Sequence, residues 1–423
     1  MTTILGIETS CDETALALIE TRSSDNGKLE CRVIDSLVHS QAELHSAYGG
    51  VYPNLAKREH GKNIIPLLHK LLEGAGMDKS PERALPEAGT AESEGHLNDG
   101  AREGDLSIPA LEQFRTEVSG QNPELWQAIT HADFLRHKPK IDAIAVTEGP
   151  GLEPALWVGI ECARMLGALW QIPIIPIDHM EGHIIGSLLP SDVARGAWQE
   201  LHDAPLPAIA LLVSGGHTEL VRVDALGKYE VIGSTKDDAV GEAYDKTARL
   251  LGLPYPGGPH IAELAAQAIA EGIEPPLKLP RPMIASKDLD FSFSGLKTAV
   301  LYAVRGAPKD ADGRLDPSWA KGLAREFQSA VIETLLSKLR DAIEETGARS
   351  IILGGGVSAN SALRHELEEL ARGHAVPIFM PSRHISGDNA LMIAMAAAFG
   401  TAAHATKAPG EIRAQGTKRL GQS

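Results

Sequence analysis

The chain has few cysteines and no long apolar run, and each shortage excludes a class of protein. Of its 423 residues only Cys11, Cys31 and Cys162 are cysteine, an odd number without the pair spacing of a thiolate metal site. We therefore expect reduced thiols and no disulfide framework. No stretch of eighteen apolar residues occurs, and the first strand is predicted to begin at Thr3, which leaves no room for a signal or transit segment. These features predict a soluble, cytoplasmic protein without a membrane partner.

An excess of basic residues is also missing. The 40 lysines and arginines are outnumbered by 56 acidic residues, and the formal net charge is −16. This balance argues against broad nonspecific coating of nucleic acid, although a local basic patch or a basic partner can still bring in RNA. The composition is otherwise globular, and the length exceeds that of one ordinary core, so two domains are expected.

The H-E-x-x-H motif of zinc peptidases is absent, and a different histidine pair follows a predicted strand at residues 172–177. If the next segment is helical, His179 and His183 lie one turn apart on the same face and can share one metal ion. Glu181 then points away from that face, unlike the general base of a zinc peptidase. Because two histidines at this spacing also occur by chance, the pair needs a third ligand before it indicates a metal site.

The predicted elements recur along the chain. A strand, a polar turn and a second strand are predicted at residues 3–20 and again at residues 208–223. This recurrence predicts an α/β fold built as a duplicated, two-lobed architecture with a cleft between the lobes. We assign residues 1–205 to the N-terminal lobe and residues 206–400 to the C-terminal lobe.

Two segments fall outside this duplication. Residues from about 77 to 139 are first acidic and rich in Gly, Ser and Pro, and then amphipathic from Ala110 to Phe134. We interpret them as an insertion in the N-terminal lobe that is partly disordered at first and helical later. The residues after Gly400 are small, polar and slightly basic, and residues 401–423 are predicted to be a disordered tail.

Polar and glycine-rich turns are candidates for binding phosphate and nucleotide. The turn containing Asp12 and its counterpart at residues 214–218 can aim N–H groups at a phosphate. Three glycines at residues 354–356 precede a helix and permit close backbone approach, and Asn360 offers donors and acceptors to a base or ribose. Ordinary hairpin tips and helix starts have the same composition, so the residues alone leave both explanations open.

Three further residues also suit ordinary structural roles. Asp245 can accept hydrogen bonds from ribose hydroxyls and Gly258 lets the backbone approach the sugar, but both also suit an ordinary helix surface and turn. Asp388 precedes an apolar helix at residues 391–399, for which it is a candidate N-cap.

Taken together, these segments resemble the TsaD family, also called Gcp or Kae/Qri-type proteins. The family consists of tRNA threonylcarbamoyladenosine transferases of the acetate kinase, sugar kinase, Hsp70 and actin (ASKHA) superfamily. The resemblance covers nearly everything but residues 77–139 and the tail. It rests on ten motifs in the family's order: G-I-E-T-S-C-D-E-T from Gly6, Y-G-G-V-x-P-x-L-A from Tyr48, G-P-G-L from Gly149, H-M-E-G-H from His179, L-V-S-G-G-H-T from Leu212, G-E-A-Y-D-K from Gly241, Y-P-G-G-P from Tyr255, F-S-F-S-G-L-K-T from Phe291, G-G-V-S-A-N from Gly355 and D-N-A from Asp388.

The resemblance implies a two-lobed ASKHA fold and a set of site residues. It implies one divalent metal ion, Fe²⁺ or Zn²⁺, bound by His179, His183 and Asp388, a two-His, one-carboxylate set that leaves coordination positions open. It also implies an ATP- or AMP-like nucleotide in the cleft, beside Asp12 at the phosphate turn. The implied nucleotide-binding residues are Leu212, Val213, Ser214, Gly215, Gly216, Asp245, Gly258 and Asn360.

The implied reaction transfers a threonylcarbamoyl group from threonylcarbamoyl-AMP to N6 of the adenosine 3′ to the anticodon in tRNA. The N–H groups from Ser214 to His217 are expected to stabilise developing negative charge, and His217 and Asp12 are the candidates for the general base. Tyr52 and Asn54 stand where many family members carry Val and Glu, a departure that we expect to alter the tRNA side of the cleft, and no role is transferred to Asn54.

The resemblance also implies partners and leaves competing functions to weigh. The implied partners are tRNA, an inactive paralogue, a small ATPase and an upstream enzyme that synthesises the adenylate. The alternatives are an ASKHA-type ATPase or kinase and a metal-dependent peptidase. A sugar kinase holds Mg²⁺ through carboxylates and waters, which a histidine pair does not favour. The missing H-E-x-x-H motif argues against the peptidase.

Overall fold

The strands divide between two mixed five-stranded sheets. The computed structural model describes residues 1–25, 27–77, 109–190, 195–400 and 405–421. The first sheet contains β1 (Thr2–Glu8), β2 (Glu13–Ser23), β3 (Leu29–Ser40), β4 (Ala143–Gly149) and β5 (Ile174–Asp178). The second contains β6 (Ala208–Val213), β7 (Thr218–Ala225), β8 (Lys228–Ser234), β9 (Ser350–Gly354) and β10 (Ile378–Phe379).

Both sheets have the same topology. The strand order is β3-β2-β1-β4-β5 in the first sheet and β8-β7-β6-β9-β10 in the second. In each sheet the first three strands of the chain pair antiparallel with one another in order, and the last two extend the sheet by parallel pairing from the first strand. One topology used twice confirms the predicted α/β fold class, a duplicated two-lobed architecture of the ASKHA type.

Helices cover the sheets. Central strands such as β4 and β6 are buried along their whole length, because helices pack on both faces of their sheets and exclude water from every side chain. No described helix has both the length and the apolar character to span a membrane. The helices are α1 (Ala42–Ser46), α2 (Pro53–Gly74), α3 (Pro109–Glu112), α4 (Arg115–Gln121), α5 (Pro123–Thr130), α6 (Glu153–Trp170), α7 (His179–Gly186), α8 (Val240–Leu250), α9 (Gly257–Ala270), α10 (Ser294–Arg305), α11 (Pro317–Thr346), α12 (Ser361–Gly373) and α13 (Ala390–Phe399), with 3₁₀ turns at Asp133–Arg136, Gly356–Ala359, Arg383–Ile385 and Pro409–Glu411.

Two helices cross between the halves of the chain. Helix α13 comes from the C-terminal half but packs on the first sheet, where β1 passes so close that a Cβ on Gly6 would overlap the carbonyl oxygen of Ala390. Helix α7 comes from the N-terminal half, and Met180 and Ile184 pack with strands of the second sheet. A helix that is apolar all round, as α13 is, needs this burial on every side. The division at residue 205 remains a prediction, and these helices join the two lobes.

The second half of the insertion is helical, as predicted, whereas residues 78–108 lie outside the described residues. Helices α4 and α5 pack on α2 and α6. Arg164 of α6 lies 2.9 Å from the Glu117 carboxylate, and the Asn122 amide donates a hydrogen bond to Glu161. The insertion therefore extends the core of the first lobe.

The prediction of a disordered tail is wrong for residues 405–421, which lie against both lobes. The Lys418 ammonium is 2.5 Å from Glu148 and 3.8 Å from Asp178 in the first lobe. Ile412 is buried in the first core, and Leu420 is buried among side chains of the second sheet. Two buried apolar side chains and the ion pairs of Lys407 and Lys418 with Glu148 hold this segment, and its small, polar composition hid them. Residues 401–404 and 422–423 lie outside the described residues.

A substitution in the tail tests this packing. We expect Ile412→Ala to lower the free energy of unfolding by about 2–5 kcal/mol, because it removes buried methyl groups and leaves a cavity. Ile269→Ala is the control, since Ile269 is 60% exposed on α9 and its truncation is expected to change stability by no more than about 0.5 kcal/mol. Denaturant unfolding measures both. Equal stability of the two variants would mean that the tail does not pack in solution.

Candidate metal centre and nucleotide cleft

The first two candidate ligands lie on α7, directly after β5. Asp178 caps this helix by accepting hydrogen bonds from the N–H groups of Met180 and Glu181. The cap starts the helix at His179, so His179 and His183 occupy successive turns of one face, and their ring centroids are 4.7 Å apart. Both side chains are buried.

The third candidate ligand comes from the other end of the chain. Asp388 Oδ1 lies 3.3 Å from His179 Nε2 and 3.2 Å from His183 Nε2. The alternative role of Asp388 as N-cap of α13 is wrong, because Asn389 accepts the capping hydrogen bond from Met392 N–H. Asp388 is therefore free to face the histidines.

This donor set fits a divalent transition metal. Its three ligand atoms lie within 4.8 Å of one another. Bonds of about 2.0–2.1 Å to a tetrahedral ion place neighbouring ligand atoms roughly 3.3 Å apart, close to the 3.3 and 3.2 Å between Asp388 Oδ1 and the two imidazoles. His183 Nε2 is buried, and apart from its 3.2 Å approach to Asp388 Oδ1 it has no hydrogen-bond partner among the described residues, which is costly for a polar atom unless it binds something. Two imidazoles and one carboxylate leave further coordination positions for a substrate.

A buried carboxylate that the sequence analysis missed orients the first histidine. Glu8, at the end of β1, accepts a hydrogen bond from His179 Nδ1 at 2.9 Å, which turns Nε2 towards Asp388. Thr147 donates to the same carboxylate at 2.6 Å, and the N–H of Ser10 donates to its other oxygen. The signal in the sequence that could have identified Glu8 is an ionisable residue at the end of a mostly apolar strand.

The charges at this centre depend on each other. Burial acts to lower the pKa of His179, but Asp388 and Glu8 outweigh it and hold that pKa well above its usual range. Burial acts to raise the pKa of Asp388, but the two imidazoles outweigh it and lower that pKa. Burial and the neighbouring His179 lower the pKa of His183. Without an ion, one proton on His179 partly neutralises the two carboxylates.

Glu181 points away from the histidine pair, as the sequence predicted. Its carboxylate is buried and accepts a hydrogen bond from the Tyr229 hydroxyl at 3.0 Å. It is thereby directed away from the imidazoles of His179 and His183. A peptidase general base beside the ligands is therefore absent from this helix.

The candidate nucleotide turn lies between β6 and β7. Ser214 N–H donates to His217 O at 2.9 Å, and His217 N–H donates to Ser214 Oγ at 3.1 Å. The expectation that all N–H groups from Ser214 to His217 receive charge is therefore wrong for these two, which the turn itself uses. The N–H groups of Gly215 and Gly216 have no partner among the described residues and remain available.

Two predicted nucleotide-binding residues can act only through their backbone. The side chains of Leu212 and Val213 are fully buried and point to opposite sides of the second sheet, into separate cores. Strand alternation causes this, because consecutive residues face opposite sides of a sheet. Neither side chain is accessible to a ligand.

The metal centre and the nucleotide turn meet at the end of β9. Gly355 has a positive φ of 90°, and a Cβ there would overlap the carbonyl oxygen of Val213. A Cβ on Gly354 would lie 3.1 Å from the carbonyl oxygen of His183. Only glycine permits both approaches, which place the start of the nucleotide turn beside the histidine helix. The charge state of His217 reflects this proximity, because burial and then the imidazoles of His179 and His183 lower its pKa to about 4.

Asp12 and Asp245 face each other across the cleft. The Tyr255 hydroxyl of the second lobe lies 3.5 Å from Asp12 in the first. Asp245 accepts a hydrogen bond from Gly257 N–H at 2.7 Å, and burial raises its pKa to about 6. Gly258 is the second residue of α9, next to this contact, and a Cβ on it would meet no atom within 4 Å.

Asn360 has a structural role that limits its predicted one. Its side-chain oxygen caps α12 by accepting from Leu363 N–H, and its amide nitrogen donates to Gln328 at 2.9 Å. The side chain is thus held at a helix start beside the glycine turn. Contact with a nucleotide there would use the remaining amide hydrogen or the second lone pair of the oxygen.

Comparison with known proteins gives a consistent match. The TsaD family, described as tRNA N6-adenosine threonylcarbamoyltransferase, matches residues 32–82 and 125–395. A protein of that name from Variovorax paradoxus (strain S110) is 38% identical over 397 residues, which are 93% of this chain and 89% of the relative. One from Aromatoleum aromaticum (strain DSM 19018 / LMG 30748 / EbN1) is 38% identical over 400 residues, 95% of this chain and 92% of the relative.

The gap between the matched ranges falls on the insertion, which explains why the match is interrupted there and resumes within α5. A third relative, from Polaromonas sp. (strain JS666 / ATCC BAA-500), has the same name and is 36% identical over 394 residues, 93% of this chain and 90% of its own length. Because the family as a whole and its individual members both match most of the chain, the chain belongs to the TsaD family of tRNA N6-adenosine threonylcarbamoyltransferases.

Proposed function

We propose that this chain transfers the threonylcarbamoyl group from threonylcarbamoyl-AMP to N6 of the adenosine 3′ to the anticodon in tRNA. In this reaction the N6 amine attacks the carbamoyl carbon and forms a C–N bond. The bond from that carbon to the phosphate oxygen breaks, AMP leaves with the electron pair, and N6 loses one proton. The observation that carries the proposal is the convergence of His179, His183 and Asp388 beside a glycine-lined cleft.

The donor set would hold one Fe²⁺ or Zn²⁺ ion. When bound, such an ion supplies a Lewis acid for an oxygen of the donor substrate. The protein's own contribution is orientation: Glu8 fixes the tautomer of His179, and Asn389 leaves Asp388 free.

The nucleotide turn would receive the AMP portion. The free N–H groups of Gly215 and Gly216 are placed to donate hydrogen bonds to the departing phosphate and so stabilise the negative charge that develops on it. Ser214 acts through its hydroxyl, which holds the turn in shape by accepting from His217 N–H. The open space at Gly258 and the carboxylate of Asp245 would accommodate the ribose.

The proton released from N6 needs an acceptor, and two candidates face the cleft. His217 lies on the nucleotide turn near the metal ligands, and Asp12 lies on the first lobe near Tyr255. Both can act only if the adenine enters between the lobes. The inactive paralogue, the small ATPase and the adenylate-synthesising enzyme of the family would act with this chain in the cytoplasm.

Loss of one ligand tests the metal centre. We expect His183→Ala to lose bound metal and to form no modified nucleoside, because two remaining ligands bind an ion far more weakly. Elemental analysis of anaerobically purified protein measures the metal, and mass spectrometry of digested tRNA measures the product. His137→Ala, at an exposed histidine of the insertion, is expected to retain both. Full activity of the His183 variant without metal would rule out this role.

A second substitution separates positioning from binding. We expect Glu8→Gln to weaken metal affinity by about 10–100-fold, because the carboxylate that orients His179 loses its charge. Titration with a chelator measures the affinity directly and does not depend on activity. Glu30→Gln on β3 is the matched control and should bind metal as the unaltered chain does. An unchanged affinity in the Glu8 variant would exclude the orienting role.

A glycine substitution tests the nucleotide cleft. We expect Gly258→Val to weaken AMP binding by roughly tenfold or more through steric overlap, while stability changes little because a Cβ at this position meets no protein atom within 4 Å. Gly373→Val on α12 also enters open space and should leave AMP binding intact. Calorimetry measures affinity and thermal unfolding measures stability. Equal AMP affinity of both variants would place the nucleotide elsewhere.

A further inference from the structure

An exposed aromatic pair lies on a glycine-rich loop at the rim of the cleft. Tyr48 and Tyr52 are 63% and 54% exposed, and their rings stack with centroids 6.0 Å apart. The loop between them contains Gly49 and Gly50, both with positive φ. Large apolar side chains rarely remain in water without a reason, and here two of them lie side by side.

A continuous chain of hydrogen bonds through buried side chains connects this loop to the backbone at Cys11. Tyr52 N–H donates to His45 Nδ1 at 3.3 Å, and His45 Nε2 donates to Gln41 Oε1 at 3.2 Å. Gln41 Nε2 then donates to His60 Nδ1 at 3.3 Å, and His60 Nε2 donates to the carbonyl oxygen of Cys11 at 3.0 Å. Gln41, His45 and His60 are all buried.

The direction of every bond in this chain is consistent. Each imidazole accepts at Nδ1 and donates at Nε2, which requires both rings to be neutral. Burial lowers the pKa of both His45 and His60, in agreement with neutral rings. A fully satisfied buried network is rigid, so the exposed tyrosines are held in a defined position relative to the turn that carries Asp12.

A cationic side chain lies on the other side of the loop. A Cβ on Gly49 would lie 3.6 Å from Arg249 Cδ, so the tip of the loop touches α8 of the second lobe. Arg249 is exposed, makes no ion pair with any described residue, and follows Asp245 by one helical turn. The loop that carries the aromatic pair is thus linked by hydrogen bonds to the turn that carries Asp12 and touches α8, the helix that carries Asp245.

From this geometry we propose that Tyr48 and Tyr52 form a stacking platform for unpaired bases of the tRNA anticodon loop. Gln41, His45 and His60 act as positioning residues that hold the platform in register with the reaction centre. Flat aromatic faces beside a cation are the chemistry that recognises single-stranded bases and their phosphates. Because N6 of the target adenosine must reach a buried centre, the neighbouring bases of the loop need a surface at the rim. This inference rests on the proposed function, since it takes tRNA as the substrate.

The test uses the full chain, its partner proteins for turnover, and an unmodified tRNA transcript. For the double variant Tyr48→Ala/Tyr52→Ala we expect the KM and the Kd for tRNA to rise by about 5–100-fold, the range expected when stacking is lost. At saturating tRNA, kcat should stay within about twofold, and metal content and AMP affinity should not change. The variant Tyr48→Phe/Tyr52→Phe keeps the rings and should bind tRNA normally. Tyr302→Ala, at a 65% exposed tyrosine of α10, is the matched control.

A variant of the buried chain adds a second readout. Gln41→Leu interrupts the hydrogen bonds without changing the tyrosines, and we expect it to raise the KM for tRNA while AMP affinity stays constant. Unchanged tRNA affinity in the double alanine variant would overturn the platform. A loss of activity that appears only with partner proteins present, with tRNA affinity intact, would assign the pair to protein docking and also overturn it. If the unaltered chain binds tRNA through these tyrosines but transfers no group, the proposed function fails and the platform stands.

Discussion

The contact of Asp388 with His179 and His183 is the constraint on which the rest of the structure depends. It joins residues more than two hundred positions apart and requires the start of α13 to meet the start of α7. Each of these helices packs on the sheet of the opposite half of the chain, so the contact is held from both sides. The carboxylate of Glu8 is buried there and that of Asp388 is mostly covered, and charge removed from water is stable only when it is paired. A divalent ion supplies that pairing more completely than a single proton on His179.

Local patterns in the sequence were sufficient for about half of the site. The spacing of His179 and His183 predicted a shared face, and the Asp178 cap on α7 produced it. The recurrence of strand, turn and strand predicted the two lobes, because each sheet begins with the same antiparallel hairpin. These features depend on neighbours within a few residues, which is the range over which helix and strand periodicity acts.

The remaining features depend on contacts that periodicity does not contain. Asp388 had the composition of a helix cap, and only the resemblance to a family indicated a ligand; Asn389 took the cap instead. Asn360 had the composition of a ligand and is largely used as a cap. Glu8 was missed because its hydrogen-bond partner, His179, follows another strand of the sheet and is 171 residues away in the sequence. The tail was predicted to be disordered because its contacts are distant in sequence: Lys407 and Lys418 both bind Glu148, more than 250 residues earlier in the chain.

The interlocked helices also limit how a substrate can enter. Hinge closure requires two lobes that separate along a surface with few buried contacts. Here α7 and α13 are buried in opposite lobes, and residues 405–421 contact both, so wide rotation would expose apolar side chains at several points. Such exposure costs roughly 25 cal/mol for each Å² of apolar surface. Recognition of a large substrate therefore depends on the rim of the cleft rather than on closure around it, which is where the structure places its stacked tyrosines and the arginine beside them.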